Sequence, residues 1–202
     1  MKPYYLVASL PTLVLGEPPP FTAEAFVARS ANLLSAAELK ELALVLQGRE
    51  AEGVSEFSRE WVRVDTQLRN AIARVRAARL GADAHPHLRA QEGFDTYIEK
   101  AVTDAFTKPH ALERELALDR IRWQRLDERV VRDPFGFSAV LAFAVRLRLA
   151  ARWAAMKDET GRAEMRRVAE RELGREGVPS FARAADAEEP GPAQREAQRA
   201  GA

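Results

Sequence analysis

The stretch Ser55-Glu-Phe-Ser-Arg-Glu-Trp-Val-Arg-Val-Asp-Thr-Gln-Leu-Arg-Asn-Ala-Ile-Ala-Arg-Val-Arg-Ala-Ala-Arg-Leu-Gly81 decides the fold. From Phe57 through Trp61, Val64, Leu68, Ile72 and Val75 its apolar residues step by three or four, while Arg59, Arg63, Arg69 and Arg74 fall outside that stripe. Such a period is an α-helix with one face for a core and the other for water. Ser55 is placed to cap it and Gly81 to stop it. The spacing therefore predicts a rod over 55–80, roughly 39 Å long at ~1.5 Å per residue. A rod of that length spans a small domain.

Its neighbours read the same way. Thr22 is a cap for a helix entered by Ala25-Phe26-Val27, and Ser35 with Glu38 forms a capping box before Leu39, Leu42, Ala43 and Leu46. Asp83-Ala-His-Pro-His-Leu-Arg reads as a surface loop, because Pro86 disfavours helix at its neighbour, and a short helix is expected over 91–106. Lys108-Pro109 opens another, striped by Leu112, Leu116, Trp123, Leu126 and Val130, with His110 serving the helix start. After Asp133-Pro134-Phe135-Gly136, Ser138 is expected to cap a helix over 139–156. Its Val140, Leu141, Phe143, Val145, Leu147, Leu149 and Trp153 nearly encircle it, which marks a central, mostly buried element.

The ends differ in character. At the N-terminus the alternation of Tyr4, Leu6 and Ala8 against Tyr5, Val7 and Ser9, bracketed by Pro3 and Pro11, suggests an extended segment over 3–15 followed by a proline-rich linker over 16–21. The prolines also break any run that would serve as a secretory signal. Arg162 to Leu173 reads as a last amphipathic helix, and 177–202 as a disordered tail poor in apolar surface. The expectation is an all-α bundle over 1–176 with that tail behind it.

Charge and composition remove several functions. With 31 Lys+Arg against 30 Asp+Glu the formal charge is +1, so nothing global draws the chain to nucleic acid or an anionic membrane. Only five of those basic residues are lysines, an arginine bias given no functional weight. Without cysteine there are no disulfides, thiolate metal sites or thiol nucleophiles. Arg146, Arg148 and Arg152 would each cost roughly 2.5–3.5 kcal/mol near a bilayer centre, so the apolar helix over 139–156 is not read as a membrane span. Phosphate loops, dinucleotide fingerprints, nucleophile elbows and His-Glu-x-x-His pairs are missing, and no catalytic, cofactor or metal residue is assigned. Asp83, His85 and His87 alternate in the loop, but with no second ligand cluster they are read as solvated.

Two local features remain. Asp119 falls inside the apolar stripe of its helix and, ionised, needs a partner; Arg79, in line with Val75 and Ile72, is the expected one, making a buried tie between two helices. From Pro134 to Lys157 there is no acid, and Arg146, Arg148 and Arg152 beside Trp153 have the composition of a protein interface. The competing reading is that these arginines snorkel to solvent or pair with acids elsewhere, such as Glu113 or Glu115.

Taken in order, Tyr-Tyr-Leu-Val-Ala-Ser-Leu-Pro at 4–11, Leu-Arg-Asn-Ala-Ile-Ala-Arg-Val-Arg-Ala-Ala-Arg-Leu-Gly at 68–81, Leu-Asp-Arg-Ile-Arg-Trp-Gln-Arg-Leu-Asp-Glu at 118–128 and Leu-Arg-Leu-Ala-Ala-Arg-Trp at 147–153 carry a resemblance. The chain resembles the small helical proteins encoded among the components of bacterial V/A-type (vacuolar/archaeal-type) rotary ATPases. The resemblance implies a non-catalytic part without cofactors, standing where the C-type component of the central stalk (the d-type component of vacuolar enzymes) stands. Its partners would be the rotating central shaft and the membrane rotor ring. Its location would be cytoplasmic, peripheral to the inner membrane through the complex, where it couples ion transport to ATP hydrolysis or synthesis. A transient assembly factor, a helical protein-protein adaptor and an enzyme with an unrecognised site are the alternatives.

Overall fold

A computed structural model describes residues 3–156, together with Gly161 and Arg167. By its internal packing the chain divides after Ala155, and the helices named here belong to the first unit. The expected helix over 162–173, Arg167 apart, and the expected tail over 177–202 lie outside the described residues.

The described residues are all-α: α1 (Tyr4–Ala8), α2 (Ala23–Ser30), α3 (Ala36–Leu46), α4 (Glu56–Leu80), α5 (Thr96–Ala105), α6 (Ala111–Arg132) and α7 (Phe137–Ala155), with no strand among them. No helix among them is long and apolar enough to cross a membrane. Local chemistry sets most boundaries. The Thr22 hydroxyl accepts from the Ala25 amide, Ser35 and Glu38 close their capping box, and Ser55 accepts from the Ser58 amide. Gly81, at φ +63°, supplies the left-handed residue that ends α4.

α7 is the axis of the larger core. Ala139 to Val145 are all buried, as are Leu147, Leu149 and Ala150. Around them pack Leu6 of α1, Phe26 of α2, Leu42 and Val45 of α3, Phe57 and Trp61 at the start of α4, and Leu126 of α6. Each fully buried side chain of this size contributes ~1.5–3 kcal/mol, so the core is made mainly by one encircled helix. A second cluster joins Leu68 and Ala71 of α4, Ile98 and Val102 of α5, and Leu118 and Ile121 of α6. α4 and α6 serve both clusters, one near each end.

Four elements differ from expectation, the first being α7, which already runs from Phe137, so that Ser138 lies inside the helix and does not cap it. The segment expected to be extended over 3–15 instead opens on a helical turn at Tyr4–Ala8: the Pro3 carbonyl accepts from the Val7 amide, and the Ser9 hydroxyl closes the turn on Leu6 O. Proline's fixed φ suits a helix start, and this turn buries Leu6 while leaving Tyr4 and Tyr5 exposed. α5 begins at Thr96, not near 91, because Gly93 lies at φ +77° and the Asp95 carboxylate caps the helix through the Tyr97 amide. Finally, Leu112 faces solvent, and α6 turns Leu118, Asp119, Ile121 and Leu126 inward.

The entry to α4 rests on a buried carboxylate. Glu41 of α3 accepts from the Val54 amide (3.0 Å), the Ser55 amide (3.1 Å) and the Ser58 hydroxyl (2.6 Å). Burial alone would raise its pKa, but hydrogen bonds from Ser55, Ser58 and Val54 outweigh it and hold the group at about 2. Gly53 makes room: a Cβ there would lie 2.5 Å from Glu41 Oε1 and 2.6 Å from Ser58 Oγ. Glu41→Ala should therefore lower unfolding stability at pH 7 by about 3 kcal/mol, measured by denaturant titration. A carboxylate whose pKa is depressed on folding stabilises above its unfolded value and loses that contribution as pH falls. The gap between wild type and variant should close between about pH 4.5 and about pH 2.

Candidate functional site

Asp119 has no exposed surface and stands where α4, α6 and α7 approach. Its Oδ1 accepts from Arg122 Nη1 (3.0 Å), one turn along α6. Its Oδ2 accepts from the Trp153 indole (2.8 Å) and from Arg152 Nη2, both on the last turns of α7. Arg122 continues the chain to α4, with Nε 2.9 Å from Asp65 Oδ1, and Asp65 Oδ2 takes Arg69 at 2.6 Å. A burial cost that no lone carboxylate would sustain is thus met by three donors, two of them cationic. Burial works against the Arg122 charge, yet Asp65 and Asp119 hold its pKa above the ordinary guanidinium value.

The expected tie between helices is present, but its partner is not Arg79. Antiparallel pairing of α4 with α6 explains why. Glu60 meets Arg129 (2.8 Å), Asp65 meets Arg122, and Arg76 meets Glu115 (3.5 Å), so position 119 lies beside the middle of α4. Arg79 is ten residues beyond Arg69, ~15 Å further along the axis. There it donates to Phe106 O and lies over the Phe106 ring at 5.1 Å.

Of the residues read as an interface, Arg152 and Trp153 come together at Asp119, and the others separate. Arg146 pairs with Asp127 of α6 and lies 5.5 Å from the Trp123 ring; burial pulls its pKa down, which Asp127 offsets only in part. Arg148 crosses to α3, where Nη1 donates to Val45 O (2.5 Å) and Nη2 lies 2.6 Å from Glu50 Oε1, placing a cation at the carbonyl end of that helix. Neither Glu113 nor Glu115 takes any of them.

Two residues that the pattern reading passed over hold the loop before α5. Asn70 accepts from the Arg89 amide (2.9 Å) and donates to Arg89 O (2.8 Å), while Gln67 accepts from the Asp95 amide (3.0 Å) and donates to Asp95 O (2.8 Å). Each side-chain amide thereby replaces a backbone partner. The available signal was spacing: Gln67 stands three residues before Asn70 and four before the apolar Ala71, which puts both side-chain amides on one face of α4. The loop with Asp83, His85 and His87 forms a 3-10 turn in which Asp83 accepts from the His85 amide, and no metal-holding cluster occurs among the described residues.

Chemically, the Asp119 network is a clamp. Its carboxylate is enclosed and committed to three donors, so it has no open approach for a substrate. What it does is fix the distance between three helices.

A family model described as "Protein of unknown function (DUF2764)" matches residues 92–173. That span includes Asp119, Arg122, Arg152 and Trp153 but not Asp65 or Arg69. No curated protein and no solved structure matches the chain.

Removing Asp119 takes the acceptor from Arg152 and the Trp153 indole and leaves Arg122 with Asp65 alone. Asp119→Ala should cost about 3–5 kcal/mol in chemical unfolding, whereas Arg79→Ala should cost under about 1 kcal/mol. In double-mutant cycles Asp119 should couple to Arg152 by at least about 1 kcal/mol and to Arg79 not measurably.

Proposed function

We propose that this chain is a non-catalytic component or accessory protein of a bacterial V/A-type rotary ATPase. In this reading it acts like the C-type component of the central stalk, between the rotating shaft and the membrane rotor ring. The observation that carries the reading is spatial. Three of the blocks on which the resemblance rests are distant in sequence, yet each supplies a member of one network: Arg69 from 68–81, Asp119 and Arg122 from 118–128, and Arg152 and Trp153 from 147–153.

The physics of the role supports the same reading. A part that passes torque must resist bending between its contact faces, and needs helices braced against one another more than it needs reactive groups. α4 is 25 residues long, ~37 Å, and it is tied to α6 at Glu60, Asp65 and Arg76 and through Arg122 and Asp119 to α7. On this proposal the chain works at the cytoplasmic face of the inner membrane and is held there by its partners.

Native mass spectrometry of the rotary ATPase, extracted in mild detergent from the source organism, tests the proposal. The expected spectrum contains this chain in the intact complex at fixed stoichiometry. Its presence in subassemblies alone would replace the stalk role with an assembly role, and its absence from every ATPase species would overturn the proposal.

A further inference from the structure

α4 and α6 do not meet along their whole length. Between the C-terminal half of α4 and the N-terminal half of α6 lies a groove of about 520 Å³, sharing Arg76, Leu80, Glu115 and Leu118 with a smaller hollow of about 260 Å³. Its floor is apolar and low: Ile72, Ala73 and Ala77 from α4 face Leu118 from α6. Leu80 stands at its end, 81% exposed, a large apolar side chain with no cover.

The lip is basic. Arg69 and Arg76 project from α4 with side chains 57% and 59% exposed, and Arg152 stands across from them, 44% exposed. Arg79 and Arg114 line the adjoining hollow, and Arg114 Nε is buried without a hydrogen-bond partner. These two arginines, with Arg69, Arg76, Arg122 and Arg152, make six cations. Against them stand Asp83 and Glu115 in the lining and Asp65 and Asp119 behind it. Asp65, Glu115 and Asp119 pair Arg69, Arg76, Arg122 and Arg152, which leaves Arg79 and Arg114 without an ion pair among the described residues. The groove at the opposite end of the same helix pair, about 330 Å³, has no such surplus: Arg63, Arg125, Arg129 and Arg132 are balanced by Glu60, Glu92, Asp95 and Glu128.

We propose that the basic groove docks a helix of another protein, one whose apolar stripe is flanked by Asp and Glu. The dimensions fit: Arg69 to Leu80 spans ~16 Å, three turns of helix, with alanines where an incoming rod needs clearance. Charge complementarity selects acidic flanks, which steer encounter and fix orientation. Nucleic acid fits less well. The larger groove is lined by no Phe, Tyr or Trp on which bases stack, and its cations are interrupted by Asp83 and Glu115. The inference stands on the groove and not on the ATPase assignment, so either can fail alone.

The test uses the full chain and two fluorescent synthetic helices of about 14 residues, roughly four turns, with one leucine stripe and either glutamate or lysine flanks. Anisotropy titration at low salt should show binding of the glutamate peptide and at least tenfold weaker binding of its lysine twin. The double substitution Arg69→Glu and Arg76→Glu should weaken the glutamate peptide at least tenfold, and Leu80→Ser severalfold. Arg59→Glu, at an exposed arginine outside the groove, should change nothing. Should the double variant fail to fold, the exposed single changes Arg76→Gln and Leu80→Ser carry the comparison. Equal binding of the twins, or indifference to groove substitutions, overturns the proposal. So does tighter binding of a single-stranded oligonucleotide with the same sensitivities, or a chain dimer that Arg76→Gln dissolves.

Discussion

A carboxylate with no contact with water sits between helices, and the arrangement of α4, α6 and α7 around it follows from that constraint. Charge buried in this way costs several kcal/mol unless donors surround it. Asp119 obtains them from its own helix through Arg122 and from α7 through Arg152 and Trp153, and the requirement sets how α7 lies against α6. Arg122 then needs its second acid, which Asp65 provides, and α4 is brought into the same register. Hydrophobic burial around α7 supplies most of the stability. It is non-directional and would tolerate a helix slipped by a turn, whereas the Asp119 network would not.

The exposed ion pairs along α4 and α6 play a smaller part. Pairs such as Arg76 with Glu115 or Arg132 with Glu60 are worth ~0.2–1 kcal/mol each, too little to hold two helices together. Their sum is comparable to one buried leucine. Their use is in agreement: each favours the antiparallel register that the buried network already imposes. Arg148 extends the same logic to α3, where it holds the Val45 carbonyl and lies beside Glu50. The acid-free stretch that reads in sequence as an interface therefore distributes its arginines among α3 and α6, and only Arg148 and Arg152 keep a sizeable part of their side chains at the surface.

What the sequence disclosed and what it withheld divide along physical lines. Caps and stops are local, so Thr22, the Ser35 and Glu38 box, Ser55 and Gly81 could be read within a few residues of one another. Periodicity showed that α7 is encircled and that Asp119 faces inward. The partner of Asp119 could not be read, because it depends on how far α4 slides along α6, a quantity that no single helix encodes. The same holds for Glu41, whose acceptance of the Val54 and Ser55 amides just before α4 is a contact across a turn, and for Gln67 and Asn70, whose task is to complete a distant loop. At the N-terminus the period was too short to distinguish strand from helix, and Pro3 settled it locally.

The groove and the network lie on the same helices, since Arg69, Arg122 and Arg152 belong to both. Anything seated in the groove would press on the clamp, which is why its rigidity is the central claim. Hydrogen exchange of the Trp153 indole proton, followed by NMR, tests that claim most directly. If Asp119 locks α7 to α6, this proton should exchange only through global unfolding, with the same opening free energy as the amides of Leu141 to Leu149. Rapid exchange of the indole while those amides stay protected would show the last turns of α7 opening on their own, and would contradict the account.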